Sequence, residues 1–463
     1  MKKKYWTIFL IIFIASLFFW MPGLSELDFE LRAGLATLIF AAGLFVFEPV
    51  AIQVTALLIP VALVATNLLP VEEAFAPFAD PVVFLILGSL FIAEALRKHN
   101  LTRKLATRLL FYSRGRPRLI LLSIMGVGAL TSMWVFSTAV VAMLIPVCLT
   151  IGGRVREKER KDNFTRVLLM GLALATTLGG LSTILGASSN AVASGVLADK
   201  IPWTFLDWMV YGTPLAFLSL LLSWFILTLT VLPTDVTIET GELYPREATE
   251  PMFTPKQGVT LAIFLGAILL WLTSPVLTWA LPLTGGLLES AVISLTAASL
   301  LFTFEVISWK DARRVNWGVY LIIGGGLALG NGLIASGVSR QFALLAEGVI
   351  AFFPYPIVAA LLILLSSLAS NSVNNTTVVA IVAPLLSASA GNLPYTALQL
   401  VLPMAFGATF GFLLPCASSR MALIYTTEVI STKVMLKIGG LVTLPLVVLT
   451  IVYFYLLFYL GWL

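Results

Sequence analysis

The chain has 463 residues, 59% hydrophobic and only 11% charged, with a net charge of +5 and a mean hydropathy of +1.01. Soluble domains carry about 25% charged residues, so composition excludes a water-soluble globular enzyme. The basic residues fall in short segments between apolar runs, which argues against a nucleic-acid partner.

Those runs are long and continuous rather than short and alternating. They predict an all-α polytopic membrane protein, not a barrel. Cys148 and Cys416 both lie in apolar segments and imply no disulfide framework. His99 lies in a basic stretch and reads as a solvated residue. No phosphate-binding glycine loop, His/Cys cluster or triad motif is present, and no cofactor is implied.

Met1-Lys2-Lys3-Lys4 precedes a first apolar helix at about 5–22. No small-residue cleavage site follows it, so it is predicted to be a retained span. Further spans are predicted at about 31–48, 51–70, 82–97, 164–200, 207–232, 258–281, 286–304, 317–336, 397–432 and 434–461, about eleven in all. Between the spans at 82–97 and 164–200, residues 100–114 interleave Arg103, Lys104 and Arg108 with Leu101, Leu105, Leu109 and Leu110, the pattern of an interfacial helix or of a basic anchor. Two more apolar stretches, about 119–150 and 355–392, are broken near their middles by small polar residues. They are predicted to enter the membrane and return, because irregular backbone at membrane depth survives only where protein or a cavity covers it.

With the N-terminus on the cytoplasmic side, 24 of the 28 Lys and Arg residues fall inside, as the positive-inside rule asks. The C-terminus then lies outside. The predicted location is a cell inner (plasma) membrane, with lipid around the spans.

The chain reads as N-terminal scaffold helices over 1–80, a first repeat over 81–232, a linker with scaffold helices over 233–316, and a second, inverted repeat over 317–463. Each repeat runs span, amphipathic segment, broken hairpin, broken span. Inverted repeats with broken helices are the signature of secondary transporters.

Four breaks carry the chemistry. The first hairpin reads Ser132-Met133-Trp134-Val135-Phe136-Ser137-Thr138 and the second Ser370-Asn371-Ser372-Val373-Asn374-Asn375-Thr376. The broken spans hold Gly186-Ala187-Ser188-Ser189-Asn190 and Cys416-Ala417-Ser418-Ser419-Arg420. A helix broken in mid-membrane presents free N–H groups, which suit a carboxylate or sulfate, and free carbonyls, which suit a hard cation. Ser, Thr and Asn add neutral donors and oxygens. Taken singly, such residues also suit helix–helix adhesion; four breaks at repeat-related positions point to a transport site. Arg420 is an ionisable residue inside the membrane and reads as functional.

These motifs, with Phe78-Ala79-Asp80-Pro81 before the fourth span, resemble the divalent anion/sodium symporter family of dicarboxylate, citrate and sulfate carriers. The resemblance runs from about residue 30 to the end. The family's hairpin tips carry Ser-Asn-Thr. Thr138, Asn375 and Thr376 match, Ser137 and Asn374 are polar replacements, and Phe136 departs.

The resemblance implies a small anionic substrate, a C4–C6 di- or tricarboxylate, held by Ser137, Thr138, Asn374, Asn375, Thr376, Ser189, Asn190, Ser419 and Arg420. It implies sodium at two sets, Ser132, Ser137 and Gly186, and Ser370, Asn375 and Ala417. It also implies a homodimer with an elevator-type transport domain. Some family members exchange anions without sodium. Arg420 stands beside the second set in sequence, so its predicted role is to bind a substrate carboxylate or to stand in for the second sodium. The alternatives are a sulfate or sulfonate carrier, or a cation/proton antiporter of related architecture. An intramembrane enzyme or receptor has only Glu48, Glu94, Glu289, Arg420 and Glu428 to work with, and no His or Cys partner for them.

Overall fold

The computed structural model describes residues 2–20, 28–101, 115–233, 254–280, 286–350 and 353–463, with positions 104, 108, 113 and 236 besides. Most of the interfacial helix predicted at 100–114 and most of the linker at 233–257 lie outside the described residues.

Among the described residues every regular element is helical. The first group comprises α1 (Lys2–Trp20), α2 (Phe29–Phe47), α3 (Ile52–Ala65) and α4 (Pro81–Lys98). The first hairpin follows as α5 (Pro117–Ser132) and α6 (Ser137–Gly153). Next come α7 (Lys158–Leu181), α8 (Ser188–Ala198) and α9 (Phe205–Thr230), then α10 (Pro255–Ala280) and α11 (Ser290–Thr303). The remainder is α12 (Trp317–Ala335), α13 (Val338–Ile350), α14 (Tyr355–Ser372), α15 (Asn375–Ser389), α16 (Ala397–Ala408), α17 (Ser419–Tyr425) and α18 (Thr432–Tyr459).

Seven of these helices are long and apolar enough to cross a membrane, and an eighth qualifies if the bent pair over 71–98 counts as one span. The predicted span at 51–70 is shorter than expected, because α3 stops at Ala65 and a turn follows. A hydrocarbon layer of about 30 Å needs roughly 20 residues at 1.5 Å each. The hairpin helices α5, α6 and α15 have 16, 17 and 15 residues, too few to cross it unaided.

Element order in the two halves corresponds. A long helix (α4, α12) leads to a helix pair (α5–α6, α14–α15), then to a helix interrupted by a 3₁₀ turn (α7–α8, α16–α17), then to a long helix (α9, α18). Pro146 and Pro384 fall at the same place in α6 and α15, nine residues after Ser137 and Asn375.

Two packed groups frame the site. In one, α3 packs on α12 and α4 on α11. The backbones of α3 and α12 touch closely at Gly325, where a Cβ would stand 2.5 Å from the Ala56 carbonyl oxygen. In the other, each hairpin lies along the broken helix that follows it, α5 and α6 on α7, α14 and α15 on α16. The second segment of each broken helix crosses to the opposite hairpin, α8 to α15 and α17 to α6. Trp134 at the first hairpin tip stacks on Trp271 of α10, with ring centroids 6.4 Å apart and planes 3° from parallel, and so seats that tip on its neighbour.

Candidate anion site at the hairpin tips

Both tips are chain turns followed at once by a helix N-terminus. In the first hairpin, residues 133–136 turn and Ser137 opens α6. In the second, residues 373–374 turn and Asn375 opens α15. The Asn374 side chain caps α15, with Thr376 N–H donating to its Oδ1 at 2.9 Å. The same N–H reaches the Asn375 Oδ1 at 2.9 Å.

The breaks at 182–187 and 409–418 are held open by buried amides. Asn190 Nδ2 donates to the carbonyls of Gly180 and Thr183, both at 2.8 Å. The Thr183 hydroxyl donates to the Met133 carbonyl and docks the first break on the first tip. At the second break Asn371 does similar work from the hairpin. Its Nδ2 donates to Phe410 O at 3.1 Å, and Leu413 N–H donates to its Oδ1 at 2.9 Å. Four unwound or break-flanking backbone groups, the carbonyls of Gly180, Thr183 and Phe410 and the Leu413 N–H, thus find side-chain partners.

At the tips, two side-chain hydrogen bonds join the break of one half to the hairpin of the other. The hydroxyls of Ser188 and Thr376 lie 2.8 Å apart, linking the first break to the second tip. Arg420 Nη1 donates to Ser137 Oγ at 2.7 Å, linking the second break to the first tip. Ser137 in turn donates to the Gly186 carbonyl at 2.9 Å. Arg420 and Ser137 are buried, and Arg420 Nε has no partner.

One cavity opens where these parts meet. Thr138, Asn374, Asn375, Thr376, Ser419 and Arg420 line it, so the structure brings six of the predicted anion ligands together, with Ser137 behind Arg420. Ser189 and Asn190 are not among its lining residues; both are buried, and the Asn190 amide is committed to its two carbonyls. Sequence reasoning missed Gln53 of α3, Asn316 before α12, and Ser188, which complete the polar lining. Gln53 carried a signal, as an amide inside an apolar run. Two larger cavities, of about 240 and 700 Å³, share Asp80 and Asp199; the first also holds Lys200, which pairs with Asp199, and the second adds Glu289.

The helix N-termini of α6, α8 and α15 face this cavity through Thr138, Ser188, and Asn375 with Thr376, and Ser419 of the seven-residue α17 joins the lining. Each of these three longer helices presents the positive end of its dipole, although at α15 the Thr376 N–H is already capped by the Asn374 and Asn375 side chains. No carboxylate lines the cavity among the described residues.

The two predicted sodium sets differ. In the first, Ser132 donates to Ala129 O at 3.1 Å, and Ser137 is bonded on one side to Gly186 and on the other to the Arg420 guanidinium. In the second, Ser370 and Ala417 meet at Gly411, and Ser370 Oγ is fully buried without a partner. Arg420 lines the cavity together with Asn375 of the second set, and its guanidinium bonds Ser137 of the first. Its backbone belongs to the second break, but α17 crosses to α6 and delivers the guanidinium to the first set. Among the described residues no three His, Cys, Asp or Glu side chains gather as a metal site.

The chain matches the citrate transporter family over residues 42–411. It is 30% identical over 451 residues to an uncharacterized transporter of Haemophilus influenzae, covering 95% of each chain. It is 29% identical over 451 residues to the sodium-dependent dicarboxylate transporter SdcS of Staphylococcus saprophyticus, covering 91% of this chain and 85% of that one. Two solved transporters share its fold at 12% identity: YdaH of Alcanivorax borkumensis, with a TM-score of 0.54 over 99% of this chain and 98% of that one, and MtrF of Neisseria gonorrhoeae, with 0.56 over 96% of each. The chain belongs to the citrate transporter family, and so to the divalent anion/sodium symporters, a group of multi-pass secondary membrane carriers that its tip and break motifs resemble.

Proposed function

We propose that the protein carries small divalent anions, C4–C6 di- or tricarboxylates, by alternating access of an elevator type. The observation that carries this reading is the convergence of three helix N-termini and one buried guanidinium on a cavity with no carboxylate among the described residues. Helix N-termini attract anions, and the planar guanidinium fork matches a carboxylate. The neutral hydroxyls and amides of Thr138, Thr376 and Asn375 then orient the anion at a smaller desolvation cost than further charges would bring.

The cavity lies between the hairpin tips on one side and Gln53, Asn316 and Val319 of the α3–α12 group on the other. A site at such a seam changes exposure when one group slides past the other, which supports the elevator reading. The dicarboxylate-carrying relatives support sodium as coupling ion, and the orphan Ser370 hydroxyl supports the second set as its seat. A homodimer, with the N-terminus cytoplasmic and the C-terminus outside in a plasma membrane, completes the reading.

Purified protein in liposomes is expected to take up labelled succinate in competition with unlabelled succinate, fumarate or citrate, and not with acetate. Uptake competed better by sulfate than by succinate replaces the carboxylate reading with an inorganic-anion one. No uptake of any di- or tricarboxylate refutes it.

A further inference from the structure

One wall of the anion cavity comes from outside the hairpins and breaks. Gln53, the second residue of α3, and Asn316, the residue before α12, line it. The two helices run side by side in the same direction. A Cβ on Gly318 would stand 2.4 Å from the Gln53 Cγ near their starts, and one on Gly332 would stand 2.2 Å from the Leu63 Cδ2 near their ends. Gly318 thus leaves the room in which the Gln53 side chain crosses the start of α12. Local structure leaves both amides unused. Asn ranks among the best N-caps, yet Asn316 makes no cap bond. Neither amide has a hydrogen-bond partner within the protein among the described residues. Arg420, whose buried Nε also has no partner, lines the same cavity. A side-chain amide N–H is a ready donor to a carboxylate oxygen.

Position along α12 gives the site a side. The hairpin tips meet the start of this helix, at Asn316 and Val319, beside the exposed Arg313 and Arg314. Its far end, at Gly330 and Asn331, borders the 240 Å³ cavity instead, with Asp80, Asp199 and Lys200. Asn316 and Asn331 are 15 positions apart, about 22 Å along a helix. The tips therefore sit against one end of α12 and not the other. A group of hairpins that slides toward the far end leaves Gln53 and Asn316 behind.

We propose that Gln53 and Asn316 are conformation-specific anion ligands, two amides outside the sliding group that donate to a carboxylate of the bound anion only while the hairpin tips face the starts of α3 and α12. This rests on the carboxylate and elevator readings given above. A ligand shifts an equilibrium between two states by its difference in affinity for them. The bound anion therefore draws the carrier toward this conformation, and the two amides set how far. In the topology given above, the side concerned is the cytoplasmic one.

The test fixes this conformation with a disulfide in the purified full-length protein. Val192 of α8 faces Gly326 of α12, where a Cβ would stand 3.2 Å from the Val192 Cγ1, so Val192→Cys and Gly326→Cys form the pair. Should that pair not fold, Gly195 and Leu327 supply another, since a Cβ on Gly195 would lie 3.1 Å from the Leu327 Cδ2. Binding of labelled succinate in sodium-containing buffer is measured on the oxidised, locked protein. Gln53→Met and Asn316→Leu are each expected to weaken it about two- to tenfold, the worth of one hydrogen bond. Gln53→Glu, which keeps the shape and turns a donor into an acceptor, is expected to weaken it more than Gln53→Met. In the reduced protein, saturating succinate is expected to speed disulfide formation at least about twofold, and Gln53→Met with Asn316→Leu to remove that gain. Unchanged affinity of the locked variants overturns the proposal. So does succinate that fails to speed disulfide formation in the protein carrying only the cysteine pair, or that speeds it equally in the double amide variant. Succinate binding that ignores both amides refutes these ligands alone. The absence of any di- or tricarboxylate binding to the reduced protein refutes the substrate reading, and the proposal with it.

Discussion

Ser188 and Thr376, 188 positions apart, share a 2.8 Å hydrogen bond between hydroxyls. It is the counterpart of the Arg420–Ser137 bond across the same cavity. Each hairpin tip is thus tied by a hydrogen bond to the broken helix of the other half. Residues of both halves line one cavity, each half supplying its own tip and break.

Thr376 is therefore expected to matter for affinity more than for folding. Thr376→Val keeps the shape and removes the hydroxyl. Losing one hydrogen bond to a charged group costs about 1.5–3 kcal/mol, which is about ten- to a hundredfold in affinity. Inhibition of labelled succinate uptake by unlabelled succinate measures it. Ser188→Ala, which leaves Thr376 able to reach the anion, is expected to have the smaller effect. If Thr376→Val leaves the half-inhibiting concentration unchanged, the residue is a strut and not a ligand.

The buried amides are expected to show the opposite pattern. Asn190→Ala orphans the carbonyls of Gly180 and Thr183, and Asn371→Ala orphans Phe410 O and Leu413 N–H. Each unsatisfied buried group costs about 1–3 kcal/mol. Both variants are expected to melt earlier by tryptophan fluorescence, with no recovery relative to the unsubstituted protein at saturating succinate. Ser189→Ala, whose hydroxyl makes only a 3.5 Å contact with Asn190 Oδ1, is expected to be near neutral. Asn190→Ala with unchanged melting and weakened affinity would return Asn190 to the list of ligands.

That contrast separates what the sequence revealed from what it could not. The breaks were legible, because small polar residues interrupt apolar runs and because Ala-Ser-Ser-X recurs at 187–190 and 417–420. The partners of the fourth residue were not. Asn190 and Arg420 occupy the same place in that motif, yet one bonds its own break and the other crosses to the far hairpin. Which one crosses depends on α17 lying along α6, and periodicity within a single helix carries no trace of that. Gln53 and Asn316 escaped for a related reason. They reach the cavity where α3 passes the start of α12, at Gly318, whose added Cβ would stand 2.4 Å from the Gln53 Cγ.

Close backbone approach gives a sharper test at the first break. A Cβ on Gly186 would stand 2.2 Å from the Gly180 carbonyl oxygen, with the Gly180 Cα and carbonyl carbon at 2.3 and 2.6 Å. These are backbone atoms and cannot rotate away. Gly186→Ala must reopen the turn that presents its own carbonyl to Ser137. It is expected to abolish transport and to cut the monodisperse yield on size-exclusion chromatography. Gly153→Ala, which meets nothing within 4 Å at the end of α6, is expected to behave as unsubstituted protein. Equal yield and transport for the two variants would show that residues 182–187 re-form without the tight contact.

Away from the cavity, the Lys98–Asp311 pair sets an acid limit on stability. Lys98 Nζ lies 2.8 Å from Asp311 Oδ2 and 3.0 Å from the Val306 carbonyl. Asp311 Oδ2 also accepts from the backbone N–H and hydroxyl of Ser308, both at 2.8 Å, closing a capping box. The hydrogen bond from Lys98, followed by the Ser308 amide, holds the Asp311 carboxyl well below the ordinary carboxylate range. A group whose folded pKa is depressed contributes stability above its unfolded pKa, and that contribution fades as pH falls toward the folded one. The stabilisation is thus fully present at neutral pH and declines below about pH 4, the unfolded value for Asp. Asp311→Asn removes it. At pH 7 the loss is about 1 kcal/mol from the cap, with at most about 1 kcal/mol more from a partly exposed ion pair. The melting difference between the two proteins is expected to narrow as pH falls from 5 to 3. Raising the salt concentration at pH 7 should narrow it in part, through screening of the pair alone. A difference of the same size at pH 3 and pH 7 would show that Asp311 holds 308–312 by shape, with no contribution from its charge.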